Sequence, residues 1–291
     1  MNKKTATLIG FSAVLMWAFL ALLSTASGFI PPFQLTALCF LIGAMSGIIS
    51  WIWRPAAIKS LQQNWRVWLT GTFGLCVYHC LYFFAIQSAP PVEVSLIAYL
   101  WPLLIVLLAA FLPGEHVRLH HVFGALLGLG GAVVIITKGG TMGFSEGLKL
   151  GHILALACAV IWSGYSILSR RMADVPTDVV AGFCLVTAVV AGILHVALEP
   201  TIWPQAASQW VAILLLGLFP LGLGFYAWDF GVKNGDVMVL GASAYAAPLF
   251  STSILVAAGY ASASWSLAFA CVLITLGAVI AAKDLIFKKS T

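Results

Sequence analysis

Tyr99-Leu100-Trp101-Pro102 and Tyr245-Ala246-Ala247-Pro248 each place a tyrosine three residues before a proline inside a long apolar run. Three residues is nearly one helical turn, so ring and proline fall on about the same face. Proline removes a backbone N–H and pushes against the preceding turn, so each helix is expected to bend there. In hydrocarbon an unpaired carbonyl is costly, and such a break is tolerated where it packs on protein or lines a wet cavity. Matching breaks in two halves point to a transporter's binding site. Two packing kinks are the alternative. Pro102 and Pro248 are the helix-break and gating candidates.

The chain around these stretches has 291 residues, 62% of them hydrophobic and only 8% charged. Soluble domains carry about 25% charged residues. A membrane helix takes about 20 mostly apolar residues, so ten would consume most of the chain. Apolar runs predict spans near 6–26, 33–53, 67–88, 92–112, 120–137, 151–169, 178–198, 209–229, 237–257 and 265–283. The run from Leu8 to Leu23 is long for a signal peptide and has a copy in mid-chain, so it reads as a retained first span. The six cysteines all fall inside apolar runs, which argues against a disulfide framework.

The net charge of +5 does not mark a nucleic-acid partner, because the bases sit at the ends of apolar runs. With the N-terminus in the cytoplasm, the cytoplasmic ends hold Lys3, Lys4, Arg54, Lys59, Arg66, Arg118, Arg170, Arg171, Lys233, Lys283, Lys288 and Lys289. Only Lys138 and Lys149 fall on the other side. That asymmetry puts both termini in the cytoplasm.

The two halves repeat. A shift of 145 carries Trp17 onto Trp162, Pro31 onto Pro176, Cys39 onto Cys184 and Trp65 onto Trp210. After a one-residue insertion, a shift of 146 carries Tyr99 onto Tyr245, Pro102 onto Pro248 and Gly131 onto Gly277. Five spans per unit is an odd number, so the second unit enters the membrane from the opposite side. The expected fold is an all-α integral membrane protein, ten transmembrane helices arranged as two inverted five-helix repeats, residues 1–140 and 141–291. Inverted repeats recur in secondary transporters with substrate near the midplane at the repeat interface.

Ten spans in two five-span units, the Trp17 and Trp162 helices, and the paired Tyr–Pro stretches resemble the drug/metabolite transporter superfamily, EamA type, and within it the bacterial aromatic amino-acid exporters. The resemblance covers essentially the whole chain. It implies a bacterial inner-membrane exporter whose central cavity is lined by the first four helices of each half, with the fifth helices outside.

The candidate substrate-binding residues are Trp17, Tyr78, His79, Tyr82, Tyr99, Trp101, Trp162, Ser163, Tyr226, Trp228 and Tyr245. Aromatic faces suit amphipathic or cationic solutes, each face attracting an ammonium by about 0.5–2 kcal/mol. Plain bundle packing is the other reading of the same rings, while Trp65, Trp68, Trp203 and Trp210 lie near span ends as membrane-interface anchors. An ionisable group inside a span is a functional candidate by default. His79 and Glu93 are therefore the candidates for proton coupling, against a hydrogen-bonded structural imidazole and a solvated loop carboxylate. Asp229 ends the eighth span, near a mouth. Glu115, His116, His120 and His121 fall in a short connection and read as an interfacial loop rather than a metal site.

No GxxxxGK[ST] motif supplies an ATP site, and no cofactor is expected. The expected function is secondary-type export of amino acids, aromatic and other neutral ones, by alternating access. Its partners are a small-molecule substrate and the lipid bilayer, and a monomer satisfies the reading without fixing the oligomeric state. Rivals are export of other small metabolites or cationic drugs on the same scaffold, and an intramembrane enzyme, which His79 with Cys76 or Cys80 supports only feebly.

Overall fold

In the computed structural model, which describes residues 2–89, 94, 97–137, 149–259, 264–281 and 283, helices dominate and no strand occurs among the described residues. Among the described residues, six helices are long and apolar enough to cross a membrane: α1 (Lys3–Ala26), α2 (Pro32–Ser50), α3 (Trp65–Thr72, Phe73–Val77 and Tyr78–Ser88), α6 (Leu150–Arg171), α7 (Thr177–Leu198) and α8 (Ala207–Asn234). Shorter apolar helices are α4 (Trp101–Phe111), α5 (Leu119–Ile136), α9 (Val237–Ser243 and Ala246–Ala257) and α10 (Trp265–Ala281). Glu93, Lys138, Lys288 and Lys289 lie outside the described residues.

The helix breaks fall just ahead of the two prolines. Tyr99-Leu100 and Ala244-Tyr245 are turns, and α4 and the second half of α9 start at Trp101 and Ala246. Pro102 and Pro248 therefore sit in a first helical turn, where a missing N–H costs nothing and the fixed φ favours the helix. A second pair of interruptions carried no signal in the hydrophobic pattern. Phe73–Val77 in α3 and Phe219–Leu223 in α8 are π turns, 146 residues apart.

Helices pack in pairs that the repeat relates. α2 lies against α7 and α5 against α10, while α1 lies along α8 as α6 lies along α3. The close contacts run in opposite directions along each pair. On α2 and α7, a Cβ on Gly47 would meet Ala181 and one on Gly192 would meet Ala37. On α5 and α10, Gly124 faces Gly277 and Ala281, whereas Gly131 faces Ala270 and Ile274. α1 and α8 touch at Gly10 and Gly231, where a Cβ on Gly10 would lie 2.9 Å from the Gly231 Cα. Absence of side chains is what permits this approach, since helices without a hydrophobic drive associate through close backbone packing.

The ends of α2 and α7 are fastened to one another. The Glu199 carboxylate accepts the Phe33 N–H at 3.0 Å and the Gln34 N–H at 3.1 Å, an anion on a helix N-terminus. His195 Nδ1 stands 3.0 Å from the same carboxylate, so this histidine is a buried structural partner at the span end. At the opposite end Arg54 reaches Asp178 at 2.8 Å.

Candidate functional site

Four indoles converge where the halves meet: Trp17 from α1, Trp101 from α4, Trp162 from α6 and Trp228 from α8. Every one contacts the other three, with ring centroids between 5.2 Å (Trp17–Trp228) and 6.3 Å (Trp17–Trp101 and Trp162–Trp228). Most of these contacts are edge-on or tilted, the arrangement that ring quadrupoles favour. Phe225 closes the group against Trp17, Trp162 and His79, at 6.0, 5.7 and 6.0 Å. Trp228 is wholly buried, Trp162 and Trp101 nearly so, and Trp17 is half-buried.

The π turns meet this group through hydrogen bonds. A π turn widens the helix and shifts its carbonyl ladder by one residue. Trp17 Nε1–H donates to the Pro220 carbonyl in the α8 turn at 3.0 Å. His79 Nδ1 lies 2.6 Å from the Leu75 carbonyl in the α3 turn. A carbonyl can only accept, so Nδ1 carries a proton, and in the neutral imidazole Nε2 keeps its lone pair. Trp228 Nε1–H donates to Ser166 Oγ at 3.0 Å, and Ser166 in turn donates to the Trp162 carbonyl.

Next to the aromatic group, toward the end that carries Lys3, lies a buried polar cluster. Asp229 is 1% exposed and pairs with Lys233 at 2.7 Å across one turn of α8. Its carboxylate also accepts Ser169 Oγ–H at 2.6 Å and Thr177 Oγ1–H at 2.7 Å. Lys233 donates to the Val175 carbonyl at 2.9 Å, so both charges are satisfied. Asp229 lies toward one end of α8, as expected, but is buried there: the i,i+4 lysine and the two hydroxyls make burial tolerable. Farther out, Arg170 holds Glu115 at 2.7 Å and also donates to the Lys233 carbonyl. Lys3 approaches Glu115 at 3.8 Å and Asp236 at 3.0 Å, tying α1, α6, the α4–α5 connection and the start of α9 at one end. Residues 115–118 form a loop, as expected, and Glu115 makes it an ion-pair junction.

Of the sequence candidates, the structure brings together Trp17, Tyr78, His79, Trp101, Trp162 and Trp228. Tyr78 touches His79 at 5.1 Å and Trp162 at 5.6 Å, and stacks on Tyr82 at 6.0 Å. Others go elsewhere. Tyr245 is fully buried in a separate cluster with Val106, Ala125 and Ala242, and Tyr99 packs against that cluster. Ser163 is buried and donates to Ala159 O on its own helix at 2.8 Å. Tyr226 reaches sideways to the Gly43 carbonyl of α2 at 3.1 Å. Trp65, Trp203 and Trp210 are exposed on the outside, while Trp68 packs inward on Phe183 at 5.6 Å. Phe225, Phe40, which stacks on Phe225 at 5.5 Å and meets His79 at 4.9 Å, and Ser166 complete the group, and the sequence does not mark them, because a lone Phe or Ser in an apolar run has no distinguishing pattern. Among the described residues no group of three or more His, Cys, Asp or Glu is placed to hold a metal ion.

Residues 4–137 and 149–282 each match the EamA-like transporter family. The chain is 52% identical over 282 residues to a protein named aromatic amino acid exporter YddG from Ancylobacter novellus, covering 97% of this chain and 98% of that protein. It is 24% identical to the aromatic amino acid exporter YddG of Escherichia coli, over 87% of this chain and 88% of the relative. The biotin transporter of Escherichia coli is 29% identical over 63% of this chain and 62% of its own length. A solved crystal structure at 50% identity superposes with a TM-score of 0.91, covering 99% of this chain and 100% of that one.

Proposed function

We propose, from the premise that this chain belongs to the EamA-like transporter family, that it exports amino acids, aromatic and other neutral ones, from the cytoplasm by alternating access. The observation that carries this reading is the meeting of four indoles at one seam, Trp17 and Trp101 from the first half and Trp162 and Trp228 from the second. A flat, amphipathic solute is recognised there by stacking and by the polar edges of the rings. Tyr78, His79 and Tyr82 extend the lining along α3.

The scaffold is a multi-pass membrane protein. We read it as ten spans in two inverted repeats, residues 1–140 and 141–291. Two observations support this: equivalent helices α2 and α7, and α5 and α10, run antiparallel to each other, and the two family matches are offset by 145 residues. The asymmetry of Lys and Arg favours cytoplasmic termini in a bacterial inner membrane. In that frame the Lys3–Glu115–Arg170 junction closes the cytoplasmic end. Alternating access requires the junction to part while the seam rearranges around substrate.

The relatives named for amino-acid export span nearly the whole chain and support the substrate class. The biotin transporter, similar over a shorter stretch, keeps a second reading open: export of another small metabolite on the same scaffold. Reconstitution decides. Purified protein in liposomes loaded with radiolabelled phenylalanine should show protein-dependent efflux, and tryptophan or a neutral aliphatic amino acid should compete. No protein-dependent flux of any amino acid would sink the reading, and competition by biotin alone would install the second.

A further inference from the structure

We propose that the ammonium group of the substrate is bound at the seam by two neutral acceptors, the main-chain carbonyl of Pro220 and the Nε2 lone pair of His79. The inference rests on the amino-acid reading above and names the atoms that read the amine.

An ammonium needs acceptors, and the described carboxylates are engaged elsewhere or exposed. Asp229 holds Lys233, Glu115 holds Arg170, Asp236 holds Lys3, Asp178 holds Arg54 and Glu199 caps α2. Asp174 is exposed. Ring faces attract a cation but accept no conventional hydrogen bond. Two acceptors at the seam are set by the π turns, one in each half. Pro220 O lies in the α8 turn and is occupied at 3.0 Å by the Trp17 N–H. His79 is held at 2.6 Å by Leu75 O in the equivalent α3 turn, which fixes the proton on Nδ1 and leaves Nε2 as an acceptor. Trp17 and His79 share one neighbour, Phe225, each with centroids 6.0 Å from it.

The exchange is balanced in hydrogen bonds. The ammonium takes the place of the Trp17 N–H on Pro220 O, and the released indole is free to turn and stack on the substrate's ring. Nothing is left buried without a partner on the protein side of the exchange, since the indole edge then faces the opened seam. Leu75 is a positioning residue: its carbonyl acts only through the tautomer it imposes on His79.

The test uses three probes of one shape: phenylalanine, phenethylamine, which lacks the carboxylate, and 3-phenylpropionate, which lacks the ammonium. With the full chain in proteoliposomes, His79→Phe keeps a ring and removes the acceptor. It should raise KM roughly tenfold for the two amines and leave 3-phenylpropionate unchanged. Trp17→Phe frees Pro220 O, and whatever the lost indole costs all three probes in stacking, KM for the amines should fall about three- to tenfold relative to 3-phenylpropionate. Equal shifts for all three probes in either variant would overturn the proposal. Where a variant does not fold, the wild type still decides. By quenching of indole fluorescence, phenethylamine must bind at least tenfold more tightly than 3-phenylpropionate, and equal affinities overturn the assignment. Wild-type binding in this order with no flux of any probe would count against export and leave the amine site standing.

Discussion

The phenolic oxygen of Tyr245 accepts the Leu103 N–H at 3.1 Å, so the break in α9 is bolted to the first turn of α4. The first N–H groups of a helix have no partner within it. Here the second half of the chain supplies one for the first. Both groups are buried or half-buried, in a cluster with Val106, Ala125 and Ala242.

Tyr245→Phe removes the acceptor and keeps the ring, leaving a buried donor unpaired at a cost of about 1–3 kcal/mol. Tyr245→Ala adds a cavity and should cost about 3–5 kcal/mol. Thermal unfolding in detergent should rank wild type above Tyr245→Phe above Tyr245→Ala. A phenylalanine variant as stable as wild type would show that the bond contributes nothing.

The α5–α10 crossing gives a contrast between two glycines. A Cβ on Gly277 would lie 2.5 Å from the Gly124 carbonyl and 2.9 Å from the Gly128 nitrogen, both backbone atoms that cannot turn aside. Gly277→Ala should destabilise by about 1–3 kcal/mol through overpacking. Gly130, on α5, has open space around it, and Gly130→Ala should be neutral or gain up to about 1 kcal/mol from helix propensity. Unfolding midpoints of the two variants that move together would refute the tight crossing.

Much of the helical order was legible because apolar runs bounded by Pro, Gly and basic residues leave few alternatives. The turns at Tyr99-Leu100 and Ala244-Tyr245 were legible too, since a proline has no N–H for the carbonyl four residues back and so belongs in the first turn after a break. The π turn of α3 was not. Phe73–Val77 is apolar throughout, and one extra residue in a turn leaves no mark on a run that is hydrophobic on all sides; in Phe219–Leu223 the mark was Pro220, which has no N–H for the carbonyl four residues back. The direction of individual rings was equally hidden: Tyr245 turns toward α5, whereas Trp228 turns toward the seam. Asp229 could have been found from Lys233 four residues on, a spacing that signals an ion pair.

That pair makes a two-sided prediction. Lys233→Met strands the Asp229 carboxylate, which is 1% exposed, and should cost about 3–5 kcal/mol. Asp229→Asn together with Lys233→Met removes both charges, and the double variant should recover most of the loss. Chemical or thermal unfolding of the two single variants and the double closes the cycle. Additive losses would mean that the charges do not depend on one another.

The two ends of the molecule are held by different chemistry, and they should respond separately. Glu115 bridges Arg170 at 2.7 Å and Lys3 at 3.8 Å, and Lys3 also holds Asp236 at 3.0 Å. Glu115→Gln removes the central charge of this network, a loss of about 1 kcal/mol for a partly exposed pair, which is roughly a fivefold shift in the population open at that end. Backbone amides of residues 233–240, at the α8–α9 junction, should then exchange with deuterium several-fold faster. The Phe33 and Gln34 amides, bonded to the Glu199 carboxylate at the opposite end, should exchange at the wild-type rate. Mass spectrometry of the reconstituted protein reads both segments in one experiment. Faster exchange at both ends would mean general loosening of the fold, and no change at residues 233–240 would mean that the junction does not hold that end shut.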